Sequence, residues 1–388
     1  MKLKQIPQDF IVEEIPNFLP SKEKQSHTIF IMEKKSITTY DAIHSISKKC
    51  KIPINEIGYA GLKDKHAITK QYISIPSQYL INSENTDKIH LKFVGYNNKK
   101  IQIGNLNSNR FNIVVRDIAR KELKYISMRA RFVGQYGVPN YFDSQRFGSV
   151  SDHEFIVKHM LMKNYEKAVK IYLTSSHPSD SRSFKNDKIE IINHWDDLSD
   201  LKLHNNELKK VIREYNKTNN WSAAYNTIPA KLRHMYLNAY QSYLWNECIK
   251  ELLKQYVNNA NLFSIKYAVD SLLFFLELTK KEFLDIPTTF KTITHNDTYS
   301  VLEHEIIGKV LLKQGIMLHN FKSTNLKKHI FKSYNRQTLI KPRNFHISEP
   351  KPDIINSSYK SDRYAIELSF ILTSGSYATI IIKQLFNS

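Results

Sequence analysis

The sequence predicts an α+β fold with a second, mainly helical domain set into it, and three observations carry the prediction. Over roughly the first 150 residues, short runs of alternating apolar positions, the pattern of half-buried strands, are interleaved with single helical stretches. From about 153 to 315 the texture changes to long, polar helical stretches. Beyond that, Ile366–Leu372 and Tyr377–Ile382 return to the apolar and β-branched residues that strands favour. Terminal strands that rejoin the first sheet make the helical block an insertion, and 388 residues accommodate two or three domains.

In chain order, 28–34 and 70–76 read as strands. Between them Thr39 or Asp41 is placed to cap a helix that carries Ala42, Ile43, Ile46 and Cys50 near one face. The apolar runs Ile89–Val94 and Phe111–Val115, separated by turn-rich Gly95–Asn98 and Gly104–Asn109, read as antiparallel strands joined by loops. A helix follows at about 119–134, and another at 229–256 with Leu232, Met235, Tyr236, Ala239, Tyr240, Tyr243 and Leu244 at helical spacing. The Asn- and Ser-rich stretches 82–87 and 353–359 read as loops, and no solenoid repeat or low-complexity tract interrupts the pattern.

Composition removes several classes of function. The longest dense apolar stretch, Leu272–Leu276, falls far short of the ~20 residues a membrane helix needs. The N-terminus has no apolar secretory core, so the expected compartment is the cytoplasm. Cys50 and Cys248 stand far apart without ligand-spaced partners, so both are expected as reduced core thiols. His295, Asp297, Glu303, His304 and Glu305 match no recognised metal spacing and read as a solvated loop, so no metal is expected. With no G-x-x-x-x-G-K-[ST] or G-x-G-x-x-G and only 10 Gly, the usual nucleotide and flavin cradles are missing and no cofactor is expected. The net charge of +20 favours a polyanionic partner, since clustered Lys and Arg gain affinity by neutralising phosphates and releasing counterions. Lys63, Lys65, Lys70, Arg129, Arg131 and Arg146 are candidates for a phosphate-tracking cleft, against the plain alternative of scattered solubilising charges.

Two segments concentrate groups with chemistry. In Gly58–Gln71, Gly58 and Gly61 allow a tight backbone path, and Asp64 lies between Lys63 and Lys65 with His66 next. A carboxylate near cations stays ionised even when partly removed from water, as a carboxylate nucleophile must; the alternative is a solvated turn. In Pro139–Gly148, aromatic, amide and guanidinium groups share a short span. An aromatic can stack an extruded base, an amide can bond its edge and Arg can clamp phosphate, although Tyr141 and Phe147 could equally be core aromatics.

Lys4 with Asp9-Phe10-Ile-Val-Glu-Glu14, the run Ala60–Gln71, Gly137–Phe142, Gln145–Gly148 and Ser374–Thr379 together resemble the TruD family of tRNA pseudouridine synthases. The likeness is dense over roughly the first 150 residues, patchy through 151–330, and resumes toward the C-terminus. It implies a pseudouridine synthase catalytic domain on a mixed, mostly antiparallel sheet, carrying a mainly helical insertion domain in a V-shaped arrangement. The expected division is 1–152 for the first part of the catalytic domain, 153–315 for the insertion, and 316–388 for the C-terminal part. It also implies tRNA as partner and isomerisation of one uridine, the thirteenth-position uridine of the D arm in bacterial members. By motif position Asp64 resembles the catalytic aspartate, Phe142 the base-stacking aromatic, Asn140 the amide that holds motif and base, and Phe10 a further pocket residue. Lys4, Glu14, Lys63, Lys65, Gln145 and Arg146 are supporting or RNA-contacting positions. Asp143 departs from the family's usual Gly after the Phe, and Lys383-Gln384 replaces the usual Arg-Glu.

Pseudouridine formation breaks the C1′–N1 bond, turns the uracil and rejoins it through C5. The target must leave its stack, at a cost of a few kcal/mol that stacking and hydrogen bonding in the pocket offset. A carboxylate can attack C1′, stabilise positive charge there, take a proton from C2′ or attack C6. Each route needs Asp64 ionised and none needs a metal or redox cofactor. A monomer suffices for this chemistry. The rival readings are a non-catalytic tRNA-binding protein or RNA chaperone on the same fold, and a metal-dependent nuclease, for which no convincing carboxylate ligand set is visible.

Overall fold

The computed structural model describes residues 1–81, 86–177, 180–322, 331–358 and 362–386. It divides into two compact units, Met1–Val138 with Ile340–Ser388, and Pro139–Leu339. The helical texture read at 153–315 lies inside the second unit.

The first unit is built on a nine-stranded sheet: β1 (Phe10–Pro16), β2 (His27–Lys35), β3 (Gly58–Tyr59), β4 (Ile68–Pro76), β5 (Ile89–Asn97), β6 (Leu106–Ala119), β7 (Arg343–Ile347), β8 (Lys351–Pro352) and β9 (Arg363–Thr373). The order is β7-β9-β6-β1-β4-β2-β5, with β8 on β9 and β3 on β4. Among the described residues, β1 and β4 run parallel, Ile11 opposite Ile68, and the remaining pairs of this sheet are antiparallel, so the sheet is mixed and mostly antiparallel. Strands from both ends of the chain share it, since β9 pairs along β6 from Arg363↔Ala119 to Thr373↔Ser108. The 89–94 and 111–115 runs are strands but not neighbours: β5 lies against β2 at one edge, and β6 lies between β1 and β9. Sequential order suggested pairing; the parallel insertion of β4 beside β1 separates them.

Helix α1 (Thr39–Cys50) covers this sheet with Ala42, Ile43 and Ile46, which pack with Phe30, Met32, Ile73, Ile75 and Leu91. Each of the helix's two isoleucines contributes about 1.5–3 kcal/mol on full burial. Its cap is Thr38, one residue ahead of the expected Thr39, with the Thr38 side chain accepting from Asp41 N–H. Thr39 is thereby released for another task. Cys50 is half-buried at the margin of this core, whereas Cys248 is fully inside the second unit. Helix α2 (Arg120–Tyr136) forms where the 119–134 pattern placed it.

The segment Tyr377–Ile382 corrects the sequence reading, because Ala378–Phe386 is a helix packed on α2. Ile380, Ile381, Ile382, Leu385 and Phe386 are all buried. The preference of β-branched residues for strands amounts to a few tenths of a kcal/mol per residue, and burial of this whole run outweighs it.

The second unit carries the helices Ile156–Leu161, Tyr165–Thr174, Arg182–Asn193, Asn206–Thr218, Trp221–Thr227, Ala230–Tyr256, Lys280–Asp285 and Val301–Lys313. The long helix Ala230–Tyr256 buries Leu237, Tyr240, Leu244, Trp245, Cys248, Ile249 and Leu252, while Met235 is exposed. The apolar stretch at 272–276 forms most of the strand Ser271–Phe275, paired with Leu262–Lys266. Of the 295–305 group, expected as a solvated loop, the second half opens a helix: Ser300 and Glu303 form a reciprocal capping box. Asp297 pairs with Lys291 at 3.0 Å and Glu305 with Lys309 at 2.6 Å. Of the two expected loops, 82–85 and 359 lie outside the described residues, and 353–358 is a turn anchored by buried Asp353, which accepts from Arg116 and Asp117 N–H. Among the described residues, no helix is long and apolar enough to cross a membrane.

Candidate active site

The segment 60–67 links β3 to β4 and carries Asp64 at the end of the sheet. Its apolar ends, Ala60 and Ala67, are buried, but Leu62 is 70% exposed, so the loop is held by polar bonds rather than by burial. Gly61 C=O accepts from Gln71 Nε2 at 3.2 Å, Gln71 Oε1 accepts from the Thr39 hydroxyl at 2.9 Å, and Thr39 Oγ1 accepts from Lys63 N–H at 2.9 Å. The Lys63 ammonium donates to Glu14 Oε1 at 2.6 Å, and Glu14 Oε2 takes Tyr72 N–H at 2.8 Å. Glu14 reaches this pair because it shares the inward face of β1 with Phe10 and Val12. Gly58 is needed for close approach, since a Cβ there would meet Ile101 O and Ser74 Oγ at 2.4 Å. Gly61 is not: its nearest neighbour would be Lys63 Nζ at 3.9 Å.

The Asp64 side chain is 22% exposed. Its Oδ2 is bonded to the Lys4 ammonium, and its Oδ1 accepts from His66 N–H at 3.0 Å. Lys4 also lies 4.3 Å above the Phe10 ring. Lys4 holds a left-handed backbone conformation, φ 55°, sparsely populated for a residue with a Cβ and often stored at functional sites. Burial alone would raise the Asp64 carboxyl, but the Lys4 ammonium and then the His66 N–H outweigh it and hold the group below its ordinary value.

In the second unit, Asn140, Tyr141 and Phe142 are buried and each is tied down. Asn140 N–H donates to Thr338 O at 2.8 Å, its Nδ2 donates to Gln337 O at 3.0 Å, and its Oδ1 accepts from Arg336 at 2.8 Å. Asn140 C=O accepts from Arg336 and from Trp245 Nε1. Asn246 on the long helix grips the Phe142 backbone as a neighbouring strand would, accepting from its N–H at 2.9 Å and donating to its C=O at 2.8 Å. The Phe142 ring lies 4.1 Å from the Arg336 guanidinium and 5.3 Å from that of Arg146. Asp143 accepts from Ser144 N–H at 2.7 Å and caps the turn Ser144–Phe147, a task a glycine could not perform with a side chain.

A family model described as tRNA pseudouridine synthase D (TruD) matches residues 1–267. A protein of Methanocaldococcus jannaschii named probable tRNA pseudouridine synthase D 2 is 37% identical over 395 residues, covering 100% of this chain and 92% of its own length. One of Methanococcus maripaludis, named probable tRNA pseudouridine synthase D 1, is 34% identical with 100% of both chains covered. The chain belongs to the tRNA pseudouridine synthase D (TruD) family. It is therefore an enzyme of the isomerase class. The fold agrees: a TruD crystal structure from Methanosarcina mazei matches with a TM-score of 0.74 at 24% identity, over 100% of this chain and 93% of that one.

Of the residues the TruD resemblance singled out, Lys4, Phe10, Glu14, Lys63 and Asp64 form one connected cluster in the first unit. Asn140, Phe142 and Arg146 belong to a second cluster, around Arg336. Lys65 and Gln145 are exposed. One expectation is corrected. Of the lysines flanking Asp64 in sequence, Lys63 points to Glu14 and Lys65 to solvent, and the cation on the carboxylate is Lys4, 60 residues away. Several proposed phosphate-tracking cations are likewise engaged, Lys63 by Glu14, Lys70 by Glu33 at 3.5 Å, and Arg129 by Leu385 O at 3.1 Å.

Sequence reasoning missed Lys34, Thr39 as a loop anchor, Trp245, Asn246 and Arg336. Lys34 is 0% exposed and continues the buried positions Phe30 and Met32 of β2, so a lysine on the inward phase of an alternating run was the available signal. Its ammonium donates to Ile37 O at 2.8 Å and Asp64 O at 2.7 Å, with a longer contact to Lys63 O at 3.5 Å. Burial pulls it down to about 8, against the attraction of Asp64. Trp245-Asn246 had a comparable signal, an amide inside an apolar helical run. Arg336 had none, because its partner Asn140 is 196 residues away.

Proposed function

We propose that the chain isomerises a uridine of tRNA to pseudouridine, with Asp64 as the acting carboxylate on a target extruded from its stack. The observation that carries this reading is a partly exposed carboxylate, kept ionised by Lys4 and His66 N–H, on a loop fixed to the sheet by Glu14–Lys63 and Thr39–Gln71. Phe142 is assigned to stacking the base and Asn140 to holding the segment that presents it, with Phe10 and Lys4 as pocket residues beside Asp64. In Asn140 the amide's bonds to Gln337 and Arg336 support the holding role. No route open to Asp64 requires a metal, nucleotide or redox cofactor, and none requires a second copy of the chain, so a monomer suffices. The family resemblance supports the thirteenth-position uridine of the D arm as target.

The test is Asp64→Asn, purified and shown to bind tRNA, assayed for pseudouridine. Loss of turnover is expected, and wild-type turnover removes Asp64 from the chemistry. Chemical mapping of pseudouridine in total RNA, from cells with and without the gene, is expected to show a D-arm signal that depends on the gene. A gene-dependent signal only elsewhere overturns the assigned position.

A further inference from the structure

Lys34 sits where a lysine is costly. An ammonium removed from water loses several kcal/mol of hydration unless its surroundings replace it. Here the replacement comes from main-chain carbonyls at the meeting point of three segments: the end of β2, the entry to α1 at Ile37, and the loop at Lys63 and Asp64. Register explains the reach. Lys34 stands opposite Thr69, the second residue of β4, and opposite Ile89 on β5, so its stem runs along the strand ends directly beside the segment that carries Asp64. Neither of these cross-strand neighbours is ionisable, and the charged groups facing the ammonium are Asp64 and Lys63 on the loop.

An aspartate has a short side chain, so the direction of its carboxylate follows from the orientation of its own peptide planes. Lys4 holds one oxygen from the N-terminal segment, and His66 N–H, two residues on in the same loop, holds the other in an Asx turn. Thr39 holds the Lys63 N–H before it, and the Asp64 carbonyl is the part that Lys34 engages. A catalytic group must be held within about 0.5 Å of its productive place, and a misplacement of about 1 Å can cost roughly a hundredfold in rate.

We infer that Lys34 is a positioning residue for Asp64: its buried ammonium ties the carbonyls of Ile37 and Asp64 together, and so sets the direction in which the Asp64 carboxylate is presented. The inference rests on the reading of Asp64 as the acting group. Lys34 touches no substrate atom in this account. It acts through the loop backbone, so its removal lowers kcat and leaves tRNA binding intact.

The experiment compares wild type, Lys34→Met, Lys34→Arg and Asp64→Asn on tRNA, with kcat and KM separated and with tRNA affinity and the fraction folded measured alongside. Lys34→Met is expected to lose roughly a hundredfold in kcat with KM and tRNA affinity within threefold of wild type. Lys34→Arg keeps the charge on a longer, planar head that cannot reproduce the same two bonds, and is expected to fall about tenfold, between the other two. If Lys34→Met does not fold, Lys34→Arg carries the test. A kcat within threefold of wild type in either folded variant overturns the inference, as does a loss explained entirely by the fraction folded. Turnover in Asp64→Asn would instead overturn the reading of Asp64. An inactive Asp64→Asn beside active Lys34 variants removes only the role of Lys34.

Discussion

Replacing Glu14 by Gln strips the charge from a side chain that is 1% exposed and leaves the Lys63 ammonium, 8% exposed, without its counter-ion. In the intact pair, desolvation and Coulomb attraction are both large and nearly cancel. Removing one partner keeps the desolvation and loses the attraction, at about 3–5 kcal/mol. The Gln amide oxygen can still accept the Tyr72 N–H that Glu14 now takes at 2.8 Å, so the cost belongs to the stranded charge and not to the strand register. In the unit formed by Met1–Val138 and Ile340–Ser388, a domain size at which 1 kcal/mol moves the midpoint by about 2–4 °C, the expected fall in Tm is roughly 6–20 °C. The assay is urea and thermal unfolding of wild type, Glu14→Gln, Lys63→Met and the double variant. Lys63→Met strands the carboxylate and is expected to cost a similar amount. The double variant buries no charge and keeps the Tyr72 bond, so it should lie within about 1–2 kcal/mol of wild type. Single-variant losses under about 1 kcal/mol, or losses that simply add in the double variant, would mean that Glu14 and Lys63 do not act as a buried pair.

Lys4→Met removes a charge-assisted hydrogen bond of about 1.5–3 kcal/mol from the Asp64 carboxylate, so kcat should fall roughly 10- to 150-fold at neutral pH. The pH profile gives the sign: Asp64 is held below its ordinary value, its ionised form persists above that point, and without Lys4 the burial contribution that raises it is less opposed. The acid limb of kcat therefore moves to higher pH in Lys4→Met, and an unmoved limb contradicts the assignment. Asn246→Ala removes the two bonds by which the long helix holds the buried N–H and C=O of Phe142, at about 1–3 kcal/mol each. Calorimetry should show a loss of at least about 2 kcal/mol, and a change below about 0.5 kcal/mol would mean that the long helix does not hold Phe142.

What the sequence made legible follows the physics of local pattern. Alternation located β2, β4, β5 and β6 because each is half-covered, with α1 on the Phe30–Met32 face. It failed at Tyr377–Ile382, where three consecutive isoleucines carry no period and only the packing partner, α2, decides between strand and helix. Candidate residues emerged through motif resemblance, and their partners did not. Lys63 and Lys65 adjoin Asp64 in sequence, but consecutive loop side chains diverge, so neither meets its carboxylate. Lys4 and Arg336 reach their partners only once their own unit has folded, over 60 and 196 residues. Lys34 and Glu14 were readable in principle, as charged residues on the buried phase of an otherwise apolar alternation.

That last pattern has a physical reason. A loop with one exposed leucine and a central run of Lys63, Asp64, Lys65 and His66 has little apolar surface with which to dock, so it cannot be fixed the way α1 is fixed. It can be fixed by hydrogen bonds, and those hold only if their partners are themselves rigid and shielded from water. Strand ends meet both conditions. Glu14 on β1 anchors the loop by a side chain, Lys34 on β2 by the backbone, and Thr39 at the start of α1 by one amide. Each anchor is polar, so the order of the site is electrostatic in origin. Substitutions that repack the core beneath α1 should therefore lower stability and leave kcat in the folded fraction largely unchanged, whereas isosteric changes that remove one charge from an anchor should lower kcat in the folded fraction as well.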